Sequence, residues 1–162
     1  MNSEEVLLRG VISAFLMSGA VCDLRTRQVP PLLTLPAMAL VGGLRFHEAD
    51  YEVFVTWLVI FSLWSVHFFG GGDAKMLMVE TALFPGPRFL VTLSLFALAC
   101  TVPMLVVKYR RRSPLVLVRG LAHRAWAGQC FPTGRELKEE GQPTTWIFAL
   151  AGIAYAWLLW RG

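Results

Sequence analysis

Three acidic residues in this chain lie where carboxylates are rare. Asp23 follows the apolar run Val6–Cys22, Asp73 follows Gly70-Gly71-Gly72, and Glu80 lies inside the apolar run Ala74–Phe84. Ionisable groups within or bordering long apolar segments are costly, which makes them functional candidates. Paired carboxylates suit peptide hydrolysis. Two that approach closely cannot both ionise easily, so they share one proton. The ionised member takes a proton from an attacking water, and the protonated member polarises the carbonyl oxygen. The glycines before Asp73 lack Cβ atoms, which permits unusual backbone dihedrals and the approach of an extended substrate. Residue type alone leaves a second reading open, in which both aspartates cap helix ends.

Other polar residues are weighed against this pair. Glu80 lies seven residues after Asp73, on nearly the same helical face. It either lines a substrate cleft, where it could receive a lysine, or makes a polar contact between helices. Gly70, Gly71, Gly72, Lys75 and Glu80 form the candidate substrate-facing set, although Lys75 also suits a headgroup anchor. His67 reads as an interface residue, because a water-activating carboxylate pair needs no histidine. Glu136, Glu139 and Glu140 form an acidic cluster that would attract a basic peptide, and a solvated helix face explains them as well. Trp146, Trp157 and Trp160 fit interfacial belts. Cys22, Cys100 and Cys130 show no paired metal-ligand spacing, so no thiolate metal site is expected, and no histidine follows Cys22 at a useful spacing, so no cysteine protease is expected either.

The elements that must position these residues follow from composition. The 162 residues are 56% hydrophobic and 16% charged, with a mean hydropathy of +0.55. A soluble domain carries about 25% charge. Disorder, collagen-like repeats and a disulfide scaffold are excluded by the same figures. The expected fold is all-α, one integral membrane bundle over residues 1–162. Apolar runs at Val6–Cys22, Pro31–Leu44, Val53–Phe69, Ala74–Phe84, Phe89–Val107 and Thr144–Trp160 predict six spans, the fourth of them short. Arg9 interrupts the first run and is expected to snorkel to headgroups. The acidic start, Glu4 and Glu5, argues against a signal peptide.

Counting the fourth run as a span makes the charges consistent. Arg25, Arg27, Lys75 and the eight basic residues of 108–143 then share the cytoplasmic side, with Arg9, Arg45, Arg88 and Arg161 opposite. Both aspartates fall at the cytoplasmic end. The +4 net charge is thus loop charge, and no nucleic-acid partner is expected. Within 108–143, Leu115, Val118, Leu121, Ala122, Ala125 and Trp126 recur at helical spacing and predict an amphipathic helix on the inner membrane surface.

Two stretches resemble a known family. Gly70-Gly71-Gly72-Asp73-Ala74-Lys75 resembles the GxGD motif of intramembrane aspartyl proteases, in the GxGDxK form of type IV prepilin peptidases. Asp23-Leu24-Arg25-Thr26-Arg27-Gln28-Val29-Pro30-Pro31-Leu32-Leu33-Thr34 resembles that family's other motif: an aspartate ending the first span, basic residues, Ile/Val-Pro, then Leu-Thr. Gln142-Pro143 resembles a family proline before the last span. Pro31 stands where Asn or Asp is often found, and Thr144-Thr145 where an aromatic-Gly pair is frequent. Presenilin and signal peptide peptidase share GxGD but need more spans.

The resemblance implies an aspartyl endopeptidase of the plasma (inner) membrane, multi-pass, with its active site towards the cytoplasm. Asp23 and Asp73 would be catalytic. The substrate would be a pilin-like precursor with a short basic leader and a hydrophobic helix, cut between the two. No metal or organic cofactor is implied. The paired CxxC segment of the larger, N-methylating enzymes has no counterpart here. The chain therefore looks like the short peptidase-only form of tight-adherence (Flp-type) pilus systems or archaeal preflagellin peptidases. The alternative is a non-enzymatic membrane subunit of a pilus-assembly or transport complex.

Overall fold

A computed structural model describes residues 2–68, 70–110, 122, 123, 126 and 144–160. The described residues form six α-helices and no strand: α1 (Ser3–Thr26), α2 (Pro31–His47), α3 (Glu52–Ser65), α4 (Gly71–Leu83), α5 (Pro87–Tyr109) and α6 (Thr145–Leu158). Pro31 and Pro87 sit at the first helical position, where a missing N–H costs nothing and φ is already helical. Helix α1 stops at Arg27, whose left-handed φ of 54° returns its N–H to the Asp23 carbonyl. The αL turn sends the chain back into α2 through Val29, which is buried.

Helix α4 is the centre of the bundle. It is surrounded by α1, α2, α3 and α6, while α5 packs on α6, and α6 lies along α1. Every residue from Met76 to Ala82 is buried. A helix of 13 residues is only about 20 Å long, too short to cross a hydrocarbon core alone. Its ends are held by neighbours instead. Arg45 on α2 donates from Nε to the Ala82 carbonyl (2.8 Å) and from Nη2 to the Leu83 carbonyl (3.3 Å). These are terminal carbonyls with no partner inside their own helix. Trp57 on α3 donates to the Met78 carbonyl (2.7 Å). Below α4, Phe84, Phe89, Tyr155 and Trp160 close the core, edge to face except for the tilted Phe84–Phe89 pair.

The bundle buries a few polar side chains within an apolar core and is apolar outside. Arg9, Asp23, Thr34, Glu80, Thr81 and Thr145 are buried, while Leu7, Val11, Val55, Leu58, Leu95, Leu98 and Val107 are exposed. Among the described residues, two helices, Ser3–Thr26 and Pro87–Lys108, are long and apolar enough to cross a membrane. With their outward apolar faces they point to a membrane protein.

Two expectations are corrected. Arg9 does not snorkel outward. It is 8% exposed, donates from Nη2 to the Trp160 carbonyl (2.7 Å) and stacks over that indole. The Trp160 carbonyl and indole, just past the end of α6, offer a guanidinium better partners than the apolar exterior does. Trp160 is partly buried and packs edge to face on Phe84 at the border of the core. The third helix ends at Ser65, short of Phe69, because the chain turns at His67, where φ is 62°. The predicted amphipathic helix and the Glu136, Glu139, Glu140 cluster lie outside the described residues, apart from 122, 123 and 126.

Candidate active site

Three helix ends meet around the two aspartates. Asp23 comes from the last turn of α1 and is 6% exposed. Asp73 comes from the first turn of α4 and is partly buried. The third contributor is the start of α6. Thr145 donates its backbone N–H to Asp23 Oδ2 (3.1 Å) and its hydroxyl to Asp73 Oδ1 (2.6 Å). Thr144 donates its hydroxyl to Asp73 Oδ2 (2.7 Å). One residue thus bridges two carboxylates that lie 50 positions apart, close enough for the Asp23 charge to act on Asp73.

Local sequence explains each placement. Gly70 is the N-cap of α4 and Asp73 its third residue. Asp73 reaches back to the Gly70 N–H, the acidic half of a capping box. Thr144 is the N-cap of α6, yet it makes no side-chain cap within its own helix. Its hydroxyl goes to Asp73, and Asp23 on α1 accepts the first free N–H of α6 in its place. Asp73 lies at the N-terminus of its own helix, and Asp23, in the last turn of α1, meets the N-terminus of α6, where the dipole favours negative charge.

Close helix approach is set by residues without side chains. A Cβ on Gly19 would lie 2.7 Å from Met76 Cε, so α1 and α4 meet one turn below the aspartates. A Cβ on Gly72 would lie 3.0 Å from Val29 Cγ2 and 3.3 Å from the Val29 backbone nitrogen. The Val29-Pro30-Pro31 segment therefore seats directly on the glycine motif. Among the described residues Gly86 is the glycine with positive φ. The expectation of unusual dihedrals at Gly70, Gly71 and Gly72 is corrected accordingly. Gly70 lies beside the Asp73 carboxylate, Gly71 is exposed near Trp64, and Gly72 accommodates Val29.

The remaining candidates separate from the pair. Glu80 is fully buried, and among the described residues neither of its carboxylate oxygens has a hydrogen-bond partner. It faces Gly152, where an added Cβ would lie 3.4 Å from Glu80 Cδ and 2.7 Å from Leu16 Cδ1. Leu16, Glu80 and Gly152 are each seven residues from Asp23, Asp73 and Thr145, so they form a second layer two turns deeper. Lys75 is partly buried and makes no ion pair among the described residues. His67 is exposed in the turn before α4.

A family model described as the type IV leader peptidase family matches residues 10–106, which include both aspartates and both motifs. The chain belongs to the type IV leader peptidase family. It is therefore a leader-peptidase-like protease, of a family that in general implies a pilin-like precursor as substrate. No curated protein and no solved structure matches the chain. Gly19, Thr144, Thr145 and Gly152 were not singled out as site residues from sequence. For Thr144 one signal existed: a threonine opening an apolar run is a favoured N-cap.

Proposed function

We propose that this protein is a membrane aspartyl endopeptidase that removes the basic leader from a pilin-like precursor at the cytoplasmic face. Asp23 and Asp73 are the catalytic pair. The observation that carries this reading is their meeting at Thr145, across three helices. One carboxylate takes a proton from water as the oxygen attacks the scissile carbonyl. The other, protonated, donates to the carbonyl oxygen, and the proton then passes to the leaving amine. The exposed backbone at Gly71 gives an extended peptide a way to the half-buried Asp73. Gly70, Gly71, Gly72 and Lys75 line that approach, and Glu80 lies beneath it.

In the same proposal six helices span a plasma (inner) membrane, with α4 shielded from lipid by its neighbours and so free to be short and polar. The basic residues of 108–143 and the aspartates share the cytoplasmic side. The enzyme cleaves without methylating.

The capping of two helix N-termini by the aspartates favours one competing role, a non-enzymatic subunit in which they are structural. Co-expression with a pilin precursor separates the two. The enzyme shortens the precursor on a gel, and the mature product carries a free amino terminus with or without S-adenosylmethionine. An unshortened precursor contradicts the peptidase. Orientation is read by cysteine labelling in a background without native cysteines. An impermeant reagent should leave Ser113→Cys and Thr133→Cys unmodified in intact cells, and labelling of either overturns the six-span arrangement.

A further inference from the structure

We infer that Thr145 is the positioning residue of the aspartate pair, with Thr144 as its auxiliary. This rests on the peptidase reading above. Thr145 is fully buried and uses two different groups on two different helices: its N–H on Asp23 of α1 and its hydroxyl on Asp73 of α4. Those two groups are separated by a single side-chain torsion. A β-branched residue is stiff at that torsion, so one rotamer fixes where the two carboxylate oxygens lie relative to each other.

The cost accepted elsewhere shows that the tie is specific. Thr144 occupies the N-cap of α6, where a threonine hydroxyl ordinarily satisfies its own helix. Here it makes no such bond and is turned onto Asp73 Oδ2. Asp73 is thereby gripped on both oxygens by neighbouring hydroxyls of one helix start, and its carboxylate plane is fixed. A pair that must share one proton across a substrate carbonyl depends on such placement, since a displacement of about 1 Å costs on the order of 100-fold in rate.

The test compares Thr145→Val, Thr145→Ser and Thr144→Val with the parent protein, purified in detergent and assayed on a pilin precursor. Valine keeps the shape and the N–H to Asp23 and removes the hydroxyl. Thr145→Val should lower kcat about 10–100-fold with KM changed less than about threefold. Thr145→Ser should recover most of the loss, and Thr144→Val should lose less than Thr145→Val. If Thr145→Val does not fold, Thr145→Ala carries the same expectation. A kcat for the hydroxyl-less variant within about threefold of the parent overturns the inference, as does an equal loss in Thr145→Ser. Asp23→Asn and Asp73→Asn run alongside: activity in those variants sinks the peptidase reading itself, whereas inactivity there with normal Thr145→Val turnover sinks only the role of Thr145.

Discussion

Helix α4 carries two carboxylates two turns apart and treats them in opposite ways. Asp73, in the first turn, is gripped by two hydroxyls and a backbone N–H and is partly open to the outside. Glu80, in the third turn, is sealed in the core with neither oxygen paired among the described residues. Donors converge on Asp73, the carboxylate that the proposed mechanism uses. Where they do not, the same group is a packing liability, costing about 1–3 kcal/mol in unmade hydrogen bonds. Chemical type and helical face are alike at the two positions. What differs is whether another helix begins there and brings its donors.

The contrast can be broken at its second layer. Gly152→Val places new carbon against the fully buried Leu16 and Glu80. Overpacking of this kind costs about 1–3 kcal/mol, so thermal unfolding in detergent should shift clearly downward. An unchanged melting temperature would mean that the α1–α4–α6 layer is looser than described. Glu80→Leu should act in the other direction, raising stability by about 1–3 kcal/mol because an unpaired polar group is removed. A fall in melting temperature would reveal a partner for Glu80. The smallest effect is expected for Glu80→Gln, which should retain leader cleavage within about threefold. If it were as inactive as an aspartate variant, Glu80 would belong to the reacting pair and the contrast would fail.

Much of this arrangement was legible in the residues. Each apolar run became a helix, and the shortness of α4 followed from the distance between Asp73 and Pro85. The aspartates stood out because acids are rare beside such runs. The donors that join them did not. Thr144 and Thr145 read as departures from a family pattern, because their partners lie 71, 72 and 122 positions away and no local spacing encodes such a pairing. Arg9 was misread for the same reason. Its partner is a carbonyl 151 residues distant, and a lone arginine in an apolar run looks like an anchor until the opposite chain end is placed. The room at the glycines before Asp73 serves Val29 and the capping carboxylate rather than unusual dihedrals.

The central claim is that the aspartates are catalytic and not merely caps. Asparagine separates these roles, because it caps helix N-termini about as well as aspartate but cannot shuttle a proton. Asp23→Asn and Asp73→Asn, purified in detergent beside the parent protein and matched to it in melting temperature, should be assayed for release of the leader from a pilin precursor. The account predicts a loss of at least about 100–10,000-fold in each, the usual worth of a positioned acid or base. Near-normal turnover in either folded variant would contradict it.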